Sequence, residues 1–205
     1  MIAGFALVLY LAALAIAFGW RSVVQWRRTG DTGLRLDAGR PGSLRWWAKL
    51  MFVVALLLAA AGPVAALVGL PPLTSLDQPW IRLAGTALAV AGAALTLAAQ
   101  QQMGSSWRVG VDPGERTTLV THGLFGIVRN PIFTAMAASV VGLAAMVPNA
   151  VSLTAVAVLI VSVQVQVRAV EEPYLVGVHG EAWTRYAARV GRFLPGVGAW
   201  RLHSG

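Results

Sequence analysis

Five stretches of this chain run long enough without charge to cross a hydrocarbon layer, and no other feature restricts the fold as strongly. A helix needs roughly 20 apolar residues, and about 17 at the least, to span some 30 Å of hydrocarbon. Residues 1–20 carry no charged side chain. Neither do residues 50–70, where Gly62-Pro63 predicts a kink. Residues 83–99 form a third stretch, rich in closely spaced Ala and Gly that suit tight helix–helix contact. Residues 131–147 give a fourth, with Pro131 placed as its first helical residue. Residues 150–167 give a fifth, joined to the fourth by a Pro148-Asn149 turn. The expected fold class is an all-α integral membrane protein of about five transmembrane helices.

Composition agrees. The chain is 57% hydrophobic and 12% charged, whereas a soluble domain is about one quarter charged. Cysteine is absent, which excludes disulfides, thiol catalysis and cysteine-based metal sites. A cleaved signal peptide would open on a basic region. Here nothing charged precedes Arg21, so the first stretch is expected to remain as a span.

The net charge of +8 raises the question of a nucleic-acid partner, and its placement argues against one. Arg21, Arg27, Arg28, Arg35, Arg40, Arg45 and Lys49 lie between the first two spans. Arg108, Arg116 and Arg129 lie between the third and fourth, and Arg168, Arg185, Arg189, Arg192 and Arg201 follow the fifth. Only Arg82 sits near the opposite side. Cytoplasmic loops carry the Lys/Arg excess. The N-terminus is therefore expected outside and the C-terminus in the cytoplasm, with the chain integral to the inner membrane and its chemistry facing the cytoplasm. Two regions are expected: residues 1–118, three spans with a basic cytoplasmic loop, and residues 119–205, a helical hairpin with a cytoplasmic C-terminal segment.

Polar groups concentrate in two places. Residues 122–135 read HGLFGIVRNPIFTA, and they set Arg129, Asn130 and Pro131 directly before the fourth span. An ionisable residue at a membrane boundary is a functional candidate because its burial is costly. Arg129 would equally snorkel to headgroups while Asn130 caps the helix, and spacing leaves both readings open. Residues 168–195 read RAVEEPYLVGVHGEAWTRYAARVGRFLP. Glu171 and Glu172 point to different faces of a helix, so one is expected to pair with Arg168 and the other to face the interior. Trp183, Tyr186 and Val190 recur at helical spacing, as on a short interfacial helix.

Other chemistries find no support in the residues. His122, His179 and His203 lack metal-site spacing. No serine lies in a nucleophile elbow. No strand precedes the glycines of residues 85–92, as a dinucleotide loop would require. No span carries a charge at mid-depth, which argues against a pump or channel.

Taken in order, LVTHGLFGIVRNPIFTA (119–135) and EEPYLVGVHGEAWTRYAARVGRFLP (171–195) resemble the two signatures of the isoprenylcysteine carboxyl methyltransferase family and its wider relatives, the phospholipid N-methyltransferases among them. The resemblance implies a membrane enzyme that uses S-adenosylmethionine without a Rossmann fold. It implies a cofactor pocket formed by His122, Gly123, Phe125, Arg129, Asn130, Pro131 and Phe133 together with Glu171, Glu172 and Tyr186. Arg129, Asn130 and Glu172 would stand closest to the chemistry. Trp183, Arg185 and Arg189 would meet a lipophilic acceptor, with a carboxylate favoured over an amine or thiol. Asn130 stands where the family has His, Phe133 where it has Tyr, and Ala135 where it has Gly. Asn cannot take up a proton near neutral pH. If the family's His only hydrogen-bonds the cofactor, Asn suffices. If it acts as a base, this chain must methylate an acceptor that is already nucleophilic or have lost activity. A non-catalytic lipid-binding or scaffold protein of the same architecture is the competing expectation.

Overall fold

The computed structural model describes residues 1–34, 38–109 and 118–200, with the backbone alone at Ser105. Arg35, Arg116, Arg201 and His203 fall outside the described residues. Seven helices carry the described chain: α1 (Ile2–Thr29), α2 (Leu44–Leu67), α3 (Pro79–Gln102), α4 (Leu124–Ile127), α5 (Pro131–Met146), α6 (Ala150–His179) and α7 (Glu181–Arg189). Among the described residues there is no strand, only isolated β-bridges such as Val128 with Gly191.

The five apolar stretches are all helical, and four of the helices are long and apolar enough to cross a membrane. The fourth stretch is shorter than expected. α5 has 16 residues and rises about 24 Å, because Pro131 fixes its start and the Val147-Pro148 pair its end. The other helices overrun their apolar stretches. α1 continues to Thr29, α2 begins at Leu44 on a Ser43 cap whose Oγ accepts from the Trp46 amide, and α6 continues unbroken to His179. The Gly62-Pro63 pair does not end α2, which runs on to Leu67.

Small residues do the packing. α3 lies chiefly along α5 and α2 along α6. On α3 the buried face is Gly85, Ala89, Gly92, Thr96 and Ala99, which is i, i+4, i+3 spacing throughout. Cβ atoms on Gly85 and Gly92 would meet the α5 backbone at 2.7 and 2.6 Å, so the two helices touch main chain to main chain. The large apolar side chains point outward instead, as at Val8, Leu57, Leu83 and Val90. A soluble protein would bury them; here they are the surface that hydrocarbon covers.

The short turn between α5 and α6 is held by Asn149. Its Oδ1 accepts from the Ser152 amide at 2.9 Å and its Nδ2 donates to the Gly62 carbonyl at 2.9 Å. One side chain thus caps α6 and ties it to α2 beside the proline.

Candidate active site

The start of α5 is zipped to the C-terminal segment. The amides of Arg129 and Asn130 donate to the Gly191 and Arg192 carbonyls at 2.8 and 3.1 Å, and Thr134 Oγ1 donates to the Phe193 carbonyl at 3.0 Å. Asn130 Nδ2 donates to that same Arg192 carbonyl at 3.1 Å. As N-cap of α5 it makes no side-chain cap bond. Its amide therefore fastens two segments together, a task a neutral side chain performs without any protonation.

Arg129 is the centre of this junction. It is buried, and its Nη1 donates to the Ala187 and Val190 carbonyls at 2.6 Å each. Its Nη2 donates to the Gly198 carbonyl at 3.0 Å and to Glu172 Oε1 at 2.9 Å. Glu172 also receives Arg192, through Nε at 2.7 Å and Nη2 at 2.8 Å. Both Glu172 oxygens are thus taken by guanidinium groups. The expected pairing of one acid with Arg168 does not form; Arg168 Nε donates to Gln164 Oε1 at 2.7 Å on the exposed side.

Glu171 faces elsewhere. Residues Gln166–Glu171 form a π-turn within α6, and Gln166 Nε2 donates to Glu171 Oε1 at 3.2 Å. A π-turn brings residues five apart onto one face. Two helical turns on, His179 follows Leu175 on the same side, and all four line one cavity.

That cavity, about 240 Å³, opens behind the junction. Its polar end holds Glu171, Gln166 and His179 with Arg108, whose Nη2 donates to Tyr174 Oη at 3.2 Å. Its apolar wall comes from the spans: Phe18 of α1, Phe52 of α2, and Phe133 and Met136 of α5. Phe52 and Phe133 meet edge to face at 6.1 Å. Trp183 and Tyr186 of α7 close the far side; both are buried, and Tyr186 Oη donates to the Phe125 carbonyl at 2.6 Å. Burial pushes the Tyr186 phenol up to about 12, against the downward pull of the Arg129 guanidinium.

Of the residues singled out from the sequence, Phe125, Arg129, Asn130, Pro131, Phe133, Glu171, Glu172, Trp183 and Tyr186 all line this cavity. Four do not. His122 is exposed, and Gly123 serves α4 instead: at φ 60° it lets Gln102 approach and accept from the Leu124 amide at 2.8 Å. Arg185 and Arg189 lie on the exposed face of α7, where Arg185 pairs with Glu181 at 2.9 Å. On a short amphipathic helix the buried Trp183 and Tyr186 leave Arg185 and Arg189 on the outward face. Arg108, Gln166, Tyr174 and His179 also line the cavity, and the sequence did not mark them as site residues. The i, i+4, i+8 run of Glu171, Leu175 and His179 was a readable signal; the π-turn that adds Gln166 was not. Among the described residues, no group of three or more His, Asp or Glu is placed to hold a metal ion.

The profile of the phospholipid methyltransferase family matches residues 80–182, from the first turn of α3 to the start of α7. The chain belongs to that family. Its fold is also similar to a solved structure, the eukaryotic intramembrane Ras methyltransferase ICMT (isoprenylcysteine carboxyl methyltransferase). The TM-score is 0.59 at 16% identity, over 94% of this chain and 67% of the other. At that identity the likeness is one of fold. No curated protein sequence gives a significant match. The resemblance drawn from the two motifs therefore holds for the membrane methyltransferase group as a whole, and the phospholipid methyltransferase match includes the first motif and the Glu171-Glu172 pair.

Proposed function

We propose that this membrane methyltransferase uses S-adenosylmethionine to methylate a lipophilic acceptor, a carboxylate of the isoprenylcysteine kind, at the cytoplasmic face of the inner membrane. One observation carries the reading: a single cavity joins an acidic and amide-bearing end (Glu171, Gln166) to an aromatic wall contributed by three spans. The donor set suits the methyl carrier, which supplies a methyl group on a cationic sulfur. Glu171 and Gln166 offer acceptors for its ammonium or ribose hydroxyls, while Phe125, Trp183 and Tyr186 exclude water around its cation.

No catalytic base is required of the chain. In-line methyl transfer needs positioning above all, and a carboxylate attacking a sulfonium loses charge as it reacts, which a dry site favours. Arg129, Asn130 and Glu172 act here as positioning residues, holding α5 against the C-terminal segment. Lys49 and Arg108 on the cavity wall support a carboxylate acceptor over an amine. The acceptor's hydrocarbon would lie along Phe18, Phe52, Phe133 and Met136.

Calorimetry with S-adenosylhomocysteine on the detergent-purified protein tests the donor, with Glu171→Ala expected to lose binding and keep a normal melt. Wild-type protein that melts cooperatively yet binds none of this product removes the enzyme reading and leaves the scaffold one. Membranes given labelled methyl donor test the acceptor. Base-labile label in the lipid or lipidated fraction is the expected ester; base-stable label on lipid amines overturns the choice of carboxylate.

A further inference from the structure

Away from that cavity, the first helix buries a positive charge for which the described chain provides no counter-charge. Arg21 is 5% exposed. Its Nη2 donates to the Gly104 carbonyl at 2.6 Å, and its guanidinium lies 4.7 Å from the centre of the Trp107 ring. Among the described residues its Nε and Nη1 have no hydrogen-bond partner and no carboxylate pairs with it. A guanidinium withdrawn from water is ordinarily matched by an anion.

Arg21, Val24 and Arg28 stand at i, i+3 and i+7, one face of α1. With Trp20, Gln100 and Gln101 they line a second cavity, about 640 Å³, between α1 and α3. Gln100 is fully buried, its Nε2 donates to the Ala17 carbonyl at 3.1 Å, and among the described residues its Oε1 has no partner. Ala17 belongs to the π-turn Ala15–Trp20, a device that recurs at functional sites. The remaining wall, Ile16 and Leu97, is apolar. Trp20 and Trp26 are exposed at 61% and 57% on the same helix, as in the aromatic belts that mark headgroup depth. An aromatic belt here would set the two guanidinium groups near lipid phosphates, with the apolar side of the groove leading away from them.

We infer that this cavity binds the phosphate of an anionic membrane lipid, clamped by Arg21 and Arg28, with its acyl chain along Ile16, Val24 and Leu97. The site is distinct from the methyl-donor cavity; of the described residues the two share Gln100 alone. It requires neither the proposed donor nor the proposed acceptor.

The test uses the full chain in micelles of neutral detergent, titrated with phosphatidylglycerol, with phosphatidylcholine, or with inorganic phosphate. Native mass spectrometry counts retained lipid and a thermal melt reads stabilisation. Phosphatidylglycerol should be retained and raise Tm, and phosphatidylcholine should do so far more weakly. Arg28→Gln should weaken retention about fivefold, which is what one cation near an anionic surface contributes, and Arg21→Gln should weaken it further. Should Arg21→Gln not fold, the exposed Arg28 carries the test alone. Stabilisation by inorganic phosphate that is lost in Arg28→Gln keeps the site and assigns it a soluble ion. Equal retention of both lipids, or retention unchanged in Arg28→Gln, overturns the inference, as does an equal loss in the control Arg185→Gln.

Discussion

Arg129 and Glu172, 43 residues apart in the chain, meet at 2.9 Å with both side chains almost wholly buried. The contact joins the residues just before α5 to α6, two turns short of its end, and Arg192 completes it from the C-terminal segment. Three separate pieces of sequence are locked by one carboxylate.

Breaking that lock should unfold the site rather than merely weaken a ligand. Glu172→Ala strands two guanidinium groups and should cost about 3–5 kcal/mol, the usual penalty for halving a buried ion pair. Arg129→Met combined with Glu172→Met should cost less than the sum of the single changes. Thermal unfolding of the wild type, Glu172→Ala and the three Met variants in detergent reads both, and strict additivity would show that the pair is not coupled. Glu171→Ala, by contrast, should leave the melt unchanged.

Tyr186 predicts an alkaline limb. Its folded pKa, about 12, lies above the ordinary value near 10, so folding favours the protonated phenol. The stabilisation is complete below pH 10 and is lost as pH climbs from 10 towards 12. Tyr186→Phe should flatten that part of the stability profile. It should also cost about 1–3 kcal/mol at neutral pH, since the buried Phe125 carbonyl loses its donor. An alkaline limb identical in the variant would refute the assignment to this phenol.

Gly92 holds α3 and α5 in contact. A Cβ there would stand 2.6 Å from both the Ala135 carbonyl oxygen and the Ser139 amide nitrogen, and backbone cannot step aside as a side chain would. Gly92→Val should destabilise by about 1–3 kcal/mol, towards the upper figure. Because Ala135 is one turn from Asn130, binding of S-adenosylhomocysteine should weaken along with the melt. A normal melt and normal affinity would mean that the helices separate without consequence.

Arg185 and Arg189 should prove dispensable. Their side chains are exposed and outside the cavity, and an exposed pair such as Arg185–Glu181 contributes little. Arg185→Ala and Arg189→Ala should leave melt and ligand affinity as in the wild type. A marked loss of affinity in either would extend the site onto the outer face of α7.

The helices follow from the residues alone, because a 17-residue run without charge has one solution in hydrocarbon: it satisfies its own backbone. The closely spaced Ala and Gly of residues 83–99 marked α3 for tight packing, though not which face would pack, and periodicity brought Trp183 and Tyr186 to one side of α7. The sequence also marked Glu171 and Glu172 as exceptional, though not which of them does what. That division was made in three dimensions. The π-turn at Gln166–Glu171 rotates one carboxylate into the cavity, while guanidinium groups 43 residues before and 20 residues after claim the other. Long-range pairing leaves no trace in local spacing, because its partners are chosen by which helices lie side by side. The burial of Arg21, with no carboxylate beside it among the described residues, was equally invisible, since burial is a property of what surrounds a side chain and not of its neighbours in the chain.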